Sequence, residues 1–229
     1  MEDGSNTARL SDQTVVVVGG SAGIGLETAR YARAAAAELN VQHTEIVDAD
    51  DPDALLRLFG NISAPIDHVM VTAGSPHYGP PLDMAPEDAR RGFAGHLMLA
   101  LNVVRCATAK MRPLGSITFM GGTGGRRPRP GFSIVSTATM ALPTLIANLA
   151  IEVSPVRINL IAAGFVDTPL SARLLGSDLE RRREELRATN LIRRVVIPSD
   201  VAALAIHLMT NDALTGATFD IDGGQQLVT

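Results

Sequence analysis

Tryptophan is absent from the 229 residues, and cysteine and lysine occur once each, as Cys106 and Lys110. A single cysteine excludes an intrachain disulfide framework and suits a reducing cytosol, so a cytoplasmic location is expected. Tyrosine is nearly as scarce, with only Tyr31 and Tyr78. Chemistry that needs a phenol or an ε-amine therefore has few places to come from. Positive charge is also lacking. A formal net charge of −4 and a pI near 5.7 argue against nucleic acid as a partner, because neutralising phosphates calls for a strongly basic surface. The N-terminal residues are polar and mixed in charge, without the apolar core of a signal peptide. No apolar run is expected to approach the length that crosses a bilayer, so no membrane partner is expected. Core-forming material is plentiful: 46% of residues are hydrophobic and the mean hydropathy is +0.17. One α/β domain is ordinary at this length.

The most informative stretch is Val15-Val16-Val17-Val18-Gly19-Gly20-Ser21-Ala22-Gly23-Ile24-Gly25. Four β-branched residues in a row suit a strand buried on both faces. The glycines suit a turn too tight for a Cβ, and the Ala-rich helical pattern that follows places bare backbone amides at a helix N-terminus. Strand, glycine turn and helix together are the context in which such a motif cradles a dinucleotide pyrophosphate.

Along the chain, residues 1–13 read as a flexible leader and 14–229 as a single domain. Thr14–Val18 is a strand, and a helix runs from Gly23 towards Asn40. Val41–Val47 reads as a second strand, closing on the acidic Asp48-Ala49-Asp50-Asp51. Pro52–Phe59 is a short helix with Pro52 at its first position. Asp67–Thr72 is a strand ending in Ala73-Gly74, Pro86–Met111 a long helix, and Ser116–Met120 a strand ending in Gly121-Gly122-Thr123-Gly124-Gly125. Helix Ile134–Ile151, strand Arg157–Ala162, a charged helix over Ser177–Thr189, helix Asp200–Met209 and strand Thr218–Ile221 complete the pass. Pro143 within its helix removes one hydrogen bond, at a cost of about 3 kcal/mol unless the helix kinks or starts there. Alternating strands and helices indicate an α/β fold: a Rossmann-type, doubly wound, mostly parallel sheet with helices on both faces. Ligands of such sheets sit outside the carboxyl ends of the strands.

The glycine turn resembles the Thr-Gly-x3-Gly-x-Gly motif of the short-chain dehydrogenase/reductase family. Thr72-Ala73-Gly74 resembles its Asn-Ala-Gly strand end. Arg157-Ile158-Asn159 through Gly164 and Thr168-Pro169 resembles its Arg-Val-Asn-x3-Pro-Gly-x3-Thr segment. Pro198-Ser199-Asp200-Val201 and Thr215-Gly216 through Asp222-Gly223-Gly224 resemble its C-terminal pattern. The resemblance implies an NAD(P)(H) site built from Gly19, Ser21, Gly23, Ile24, Gly25, Ala73, Gly74, Val166 and Thr168, a small-molecule substrate, and a homodimer or homotetramer. The helix over Leu142–Ile151, with its apolar face Leu142, Leu145, Ile146 and Leu149, and the strand near Phe219 are the expected subunit contacts, although that face would equally suit the core.

The family's chemistry does not carry over. Its proton relay uses a Tyr, a Lys four residues later, a Ser and an Asn. In this chain those positions hold Val135, Thr139, Gly122 and His96, and neither Tyr31, Tyr78 nor Lys110 can be registered onto the Tyr–Lys helix. One strand also stands where the family has two strands and a helix, so the fold is expected to lack one early strand–helix unit. Asp48 then falls about 20 residues past the glycine motif, where an acidic residue reads the adenosine ribose. A second reading places Asp48 and Asp50 at the family's next strand end, beside the adenine. No arginine in that neighbourhood is available for a 2′-phosphate, so NAD is favoured over NADP.

Polar residues that the fold brings to the crevice are His77, Tyr78, His96, Thr123, Ser133 and the arginines 126, 127 and 129. His96 and Tyr78 are the candidate proton carriers. His77, Thr123, Arg126 and Ser133 are candidate substrate contacts, with Arg126 able to clamp an anion. His43, His68 and His207 lack metal-ligand spacing, and no metal site is expected. Three function classes remain: a nicotinamide-dependent oxidoreductase with a substitute acid or a substrate needing none; an isomerase or cyclase using the same crevice; and a non-catalytic dinucleotide-binding protein.

Overall fold

The computed structural model describes residues 10–36, 45–74 and 76–228. The four valines form β1 (Val15–Val18), and the chain turns through the glycines into α1 (Gly23–Ala35). There follow α2 (Pro52–Asn61), β2 (Ile66–Val71), α3 (Pro86–Ala107), β3 (Met111–Gly122), α4 (Ser133–Glu152) and β4 (Arg157–Ala163). After β4 come α5 (Pro169–Leu175), α6 (Leu179–Thr189), α7 (Pro198–Thr210) and β5 (Thr218–Ile221). The five strands make one parallel sheet ordered as in the chain, from β1 to β5.

Strands covered on both faces require apolar side chains on both, and β2 and β4 are buried at every position. The alternation of side chains then divides two cores. Val69, Val71, Ile117 and Ile158 face Leu55 and Phe59 of α2, Leu99 and Val103 of α3, and Leu142 and Ile146 of α4. Met70 and Ile161 face Ala32 of α1 with Val201, Ala205 and Leu208 of α7. The expected α/β architecture, a parallel Rossmann-type sheet with helices on both faces, is therefore the one that forms. α1 and α2 thus lie on opposite faces of the sheet.

The expected strand Val41–Val47 needs correcting. Glu45–Val47 belong to no strand, Val41–Thr44 lie outside the described residues, and β1 pairs only with β2 among those described. Asp48–Asp51 forms a turn leading into α2. Asp48 Oδ1 accepts from Asp50 N at 3.0 Å, and Asp51 Oδ1 accepts from Asp53 N at 2.9 Å. The second of these bonds caps α2, satisfying an amide that has no partner within the helix. The reading of Asp48 as a residue ending a strand beside β1 thus loses its strand.

The other end of α2 is held by the only lysine. Lys110 Nζ donates to Gly60 O at 2.7 Å and Ile62 O at 2.6 Å, pairing a cation with the last carbonyls of the helix. Of the leader, residues 1–9 lie outside the described residues, whereas Leu10 is fully buried and Ser11 Oγ donates to Ala36 O.

α4 contains Pro143, where the sequence places it. By length and composition it could also cross a membrane, contrary to the expectation that no apolar run approaches that length. Here it is a core helix, with Ile134, Ala138, Leu142, Ile146 and Leu149 buried. The apolar face Leu142–Leu149 accordingly packs on the sheet and is not free for a subunit contact.

Candidate active site

Because every strand points the same way, the strand ends line up along one edge, and backbone hydrogen bonds continue the sheet beyond them. Thr72 N and Ala73 N donate to Val18 O, Thr123 N to Ala163 O, and Gly164 N to Ile221 O. The glycine turn sits at the β1 end of this row. A Cβ on Gly25 would lie 2.3 Å from Gly19 O and 2.5 Å from Thr72 Oγ1, and one on Gly19 would lie 2.7 Å from Ala73 N. Gly19 also has φ +93°, a backbone state that side chains disfavour. Glycine is thus required where the turn closes on Thr72-Ala73. Gly23 touches the opposite wall, where its Cβ would lie 3.5 Å from the Thr168 Cβ.

The start of α1 is free for an anion. Its N-cap, Ala22, makes no side-chain cap, and no acidic residue stands in the first turn. Unpaired amides at a helix start attract negative charge. Together with the side-chain-free cradle, this fits a dinucleotide pyrophosphate. Ser21 is exposed at the turn, while Ile24 packs into the α1–α7 core.

Gly74 (φ +117°) ends the β2 segment. A Cβ there would lie 3.1 Å from His96 Nε2, which places the imidazole of α3 against the Ala73-Gly74 backbone. Burial pushes the His96 pKa below its usual value; Asp50 opposes this and His77 adds to it. The neutral imidazole is therefore the resting form at pH 7. His77 lies at the α3–α4 junction, since a Cβ on Gly92 would meet Ile134 Cγ2 at 2.5 Å and His77 Cβ at 3.0 Å. Tyr78 packs edge-on against Phe132, with centroids 5.1 Å apart, and burial raises its pKa. Arg129 lies 5.9 Å from the centre of the same Phe132 ring. Gly79 N donates to Gly131 O at 2.9 Å, so the loop after β2 is joined to the one entering α4. Ser133 opens α4 and is exposed.

On the other side, the Cβ of Gly122 would meet Thr139 Cγ2 at 3.6 Å. Thr139 Oγ1 donates within its own helix, to Val135 O at 2.9 Å and Ser136 O at 3.0 Å. Val135 is buried. Thr123 is buried too, and its hydroxyl donates to Ala163 O at 3.4 Å.

Arg126 is already occupied. Its guanidinium pairs through both nitrogens with the carboxylate of Asp220 in β5 and also meets Gln226 Oε1. Arg127 donates to the carbonyls of Gln226 and Val228. Val166 is bridged to Val196. Thr168 caps α5, its hydroxyl accepting from Ser171 N at 3.1 Å while Ser171 Oγ accepts from Thr168 N. Arg183 of α6 grips Asp167 through two nitrogens, at 2.9 and 2.7 Å.

The site therefore draws together the glycine turn, Ala73-Gly74, His96 and His77 on one side, and Gly122, Thr139 and the loop after β4 on the other. Sequence reasoning missed α5 and the contacts of the C-terminal turn, including the Gln226 and Val228 carbonyls as the partners of Arg127. The only local signal for these was Thr168-Pro169 with Ser171, a capping pattern that the sequence reading assigned to cofactor contact alone.

A parallel sheet with a side-chain-free turn at the head of its first helix defines a dinucleotide-binding α/β protein. The family profile described as enoyl-(acyl carrier protein) reductase matches residues 11–226, and the chain belongs to the short-chain dehydrogenase/reductase family. It is 25% identical to the short-chain dehydrogenase/reductase ATR9 of Stachybotrys chlorohalonatus, covering 94% of this chain and 97% of that one. That alignment runs over 250 positions, more than this chain has, so the relative carries residues without a counterpart here. It is 28% identical to the 4-formylbenzenesulfonate dehydrogenase TsaC1/TsaC2 of Comamonas testosteroni, covering 95% of this chain and 99% of that one. A solved small-chain dehydrogenase in complex with NADPH superposes with a TM-score of 0.82 at 26% identity, covering 94% of this chain and all of that one. By this homology the chain is an oxidoreductase of the family, with NAD(P)(H) the cofactor typical of it.

Proposed function

We propose that the protein is an NAD(P)(H)-dependent oxidoreductase acting on a small molecule without the family's Tyr–Lys relay. One observation carries this reading. Where the relay is expected stand a buried Val135, a Thr139 whose hydroxyl is spent on its own helix, and Gly122, which has no side chain.

When bound, oxidised nicotinamide would take a hydride from an alcohol carbon and reduced nicotinamide would return one to a carbonyl carbon. Gly19, Gly23 and Gly25 with the first amides of α1 hold the pyrophosphate, Ser21 and Ile24 shape that turn, and Ala73-Gly74 border the ribose. Val166 and Thr168 orient the nicotinamide end. In alcohol oxidation the hydroxyl proton would pass to His96, which burial keeps neutral, and in the reverse direction that proton would return to the carbonyl oxygen. Tyr78 is a hydrogen-bond donor, since a phenol is protonated at neutral pH. His77 and Ser133 contact the substrate, whereas Arg126 is committed to Asp220 and Thr123 is buried with its hydroxyl on Ala163 O, so both fall out of that set. Asp48, Asp50 and Asp51 cluster before α2, and their charges disfavour a 2′-phosphate nearby, which supports NAD over NADP.

The experiment is a melt with NADH and NADPH followed by nicotinamide absorbance against a carbonyl panel. A rise in melting temperature without turnover of any substrate favours a dinucleotide-binding protein over an enzyme. If His96→Ala and Tyr78→Phe retain full turnover, the assignment of proton carriers fails. A cytoplasmic homodimer or homotetramer completes the proposal, with the exposed Met140 and Ile151 of α4 as its apolar contacts.

A further inference from the structure

The turn Asp222–Val228, which follows β5, is where three loops of the crevice meet. The loop after β4 is held by Gln225, whose Oε1 accepts from Phe165 N at 2.9 Å. It is packed so closely that a Cβ on Gly164 would lie 2.6 Å from Asp222 Cβ and 2.8 Å from Gln225 Oε1. The loop after β3 is held by Arg127, which donates to the Gln226 and Val228 carbonyls. The segment after α6 is held by Ile192 N donating to Gly223 O at 3.3 Å, with Leu191 packed against Gly224. The turn is itself preformed, since Asp222 Oδ1 accepts from Gly224 N at 2.8 Å and Oδ2 from Gln226 N at 3.0 Å.

We propose that Gln225 and Arg127 are positioning residues. By anchoring the loops after β4 and β3 to one C-terminal strap, they fix the wall on which Val166 and Thr168 stand. The inference rests on the assignment of that wall to the nicotinamide end. Phe165 is the residue before Val166, so its amide reports directly on the anchor. Freeing it loosens the chain between Gly164, held by Ile221 O, and the bridge at Val166–Val196, the stretch that leads into that wall. Ordering the wall anew on binding then weakens affinity.

The test compares Gln225→Leu, which removes the acceptor, with Gln225→Glu, which keeps one, and Arg127→Ala with Arg127→Lys. Two quantities are read: dissociation constants for NADH and NADPH from nicotinamide fluorescence, and hydrogen exchange at the Phe165 amide. Loss of one hydrogen bond of ordinary strength corresponds to roughly a fivefold weakening. Gln225→Leu is expected to bind dinucleotide about fivefold more weakly and to exchange Phe165 faster, with Gln225→Glu restoring both. Arg127→Ala is expected to weaken binding in the same direction, and Arg127→Lys to recover part of it. Faster Phe165 exchange with unchanged affinity overturns the strap's positioning role while leaving the cofactor proposal standing. Failure of the native chain to bind either dinucleotide overturns both.

Discussion

His68 of β2 is hydrogen-bonded through Nδ1 to Ser116 Oγ of β3 at 2.8 Å, and its Nε2 meets Gln13 Oε1 at 2.9 Å. A carboxamide oxygen only accepts, so Nε2 carries the proton and Nδ1 accepts from the serine hydroxyl. The neutral ring thereby joins the residues before β1 to β2 and β3. Burial, with the charge of Arg157 close by, lowers the His68 pKa from 6.5 to about 4. The unfolded chain therefore binds a proton at a pH where the folded one does not, and stability is lost as pH falls from 6.5 to about 4. The loss due to this residue is about 3 kcal/mol. Urea midpoints measured across that range should fall steeply for the native chain and less steeply for His68→Gln. Equal slopes would remove His68 as the cause.

A buried guanidinium serves the same end of the sheet. Arg157 donates to the carbonyls of Leu208, Met209, Asn211, Leu214 and Leu114, all within 3.2 Å. It thus closes the C-terminal end of α7, where helix carbonyls have no partner. Arg157→Met leaves those oxygens buried without donors, and a loss of about 3 kcal/mol is expected. A midpoint unchanged in denaturant titration contradicts this.

Two glycines give opposite expectations for the same substitution. Gly25→Ala places a methyl group 2.3 Å from Gly19 O, so dinucleotide binding should be lost and stability should drop by about 1–3 kcal/mol. Gly95, inside α3, has open space where its Cβ would stand, and Gly95→Ala should stabilise by about 0.5–1 kcal/mol. Paired melts with and without NADH check both.

If His96 accepts the hydroxyl proton when an alcohol is oxidised, its protonation at low pH stops that direction of the reaction. Its pKa lies below 6.5, so the acid limb of the pH–rate profile should also fall below that value. His96→Gln should abolish that limb together with most of the rate. A limb that survives in the variant points to another group.

The parts of the fold visible in the sequence were those specified locally. The four valines and their glycines announce a buried strand and a sharp turn whatever lies elsewhere, and β5 is found where its own pattern places it. Val41–Val47 illustrates the limit of such patterns. Its β-branched residues suit a strand, yet a strand also needs a neighbour, and Glu45–Val47 pair with none among the described residues. Arg126 read as an anion clamp because its neutralising partner, Asp220, lies 94 residues away in sequence. The contact of His96 with Gly74 is equally nonlocal, although both residues were singled out. Thr168 is legible from its family position, whereas the helix it caps is only 7 residues long, too short for a periodic pattern.

The single lysine has a practical consequence. Lys110 Nζ is shared between Gly60 O and Ile62 O, so the chain's one side-chain amine closes a helix. An amine-reactive reagent thus acts, beyond the N-terminus, as a single-site probe. Acylating Lys110 strips two carbonyls of their donor and reports on the joint between α2 and β2, leaving every residue assigned to the crevice chemically intact.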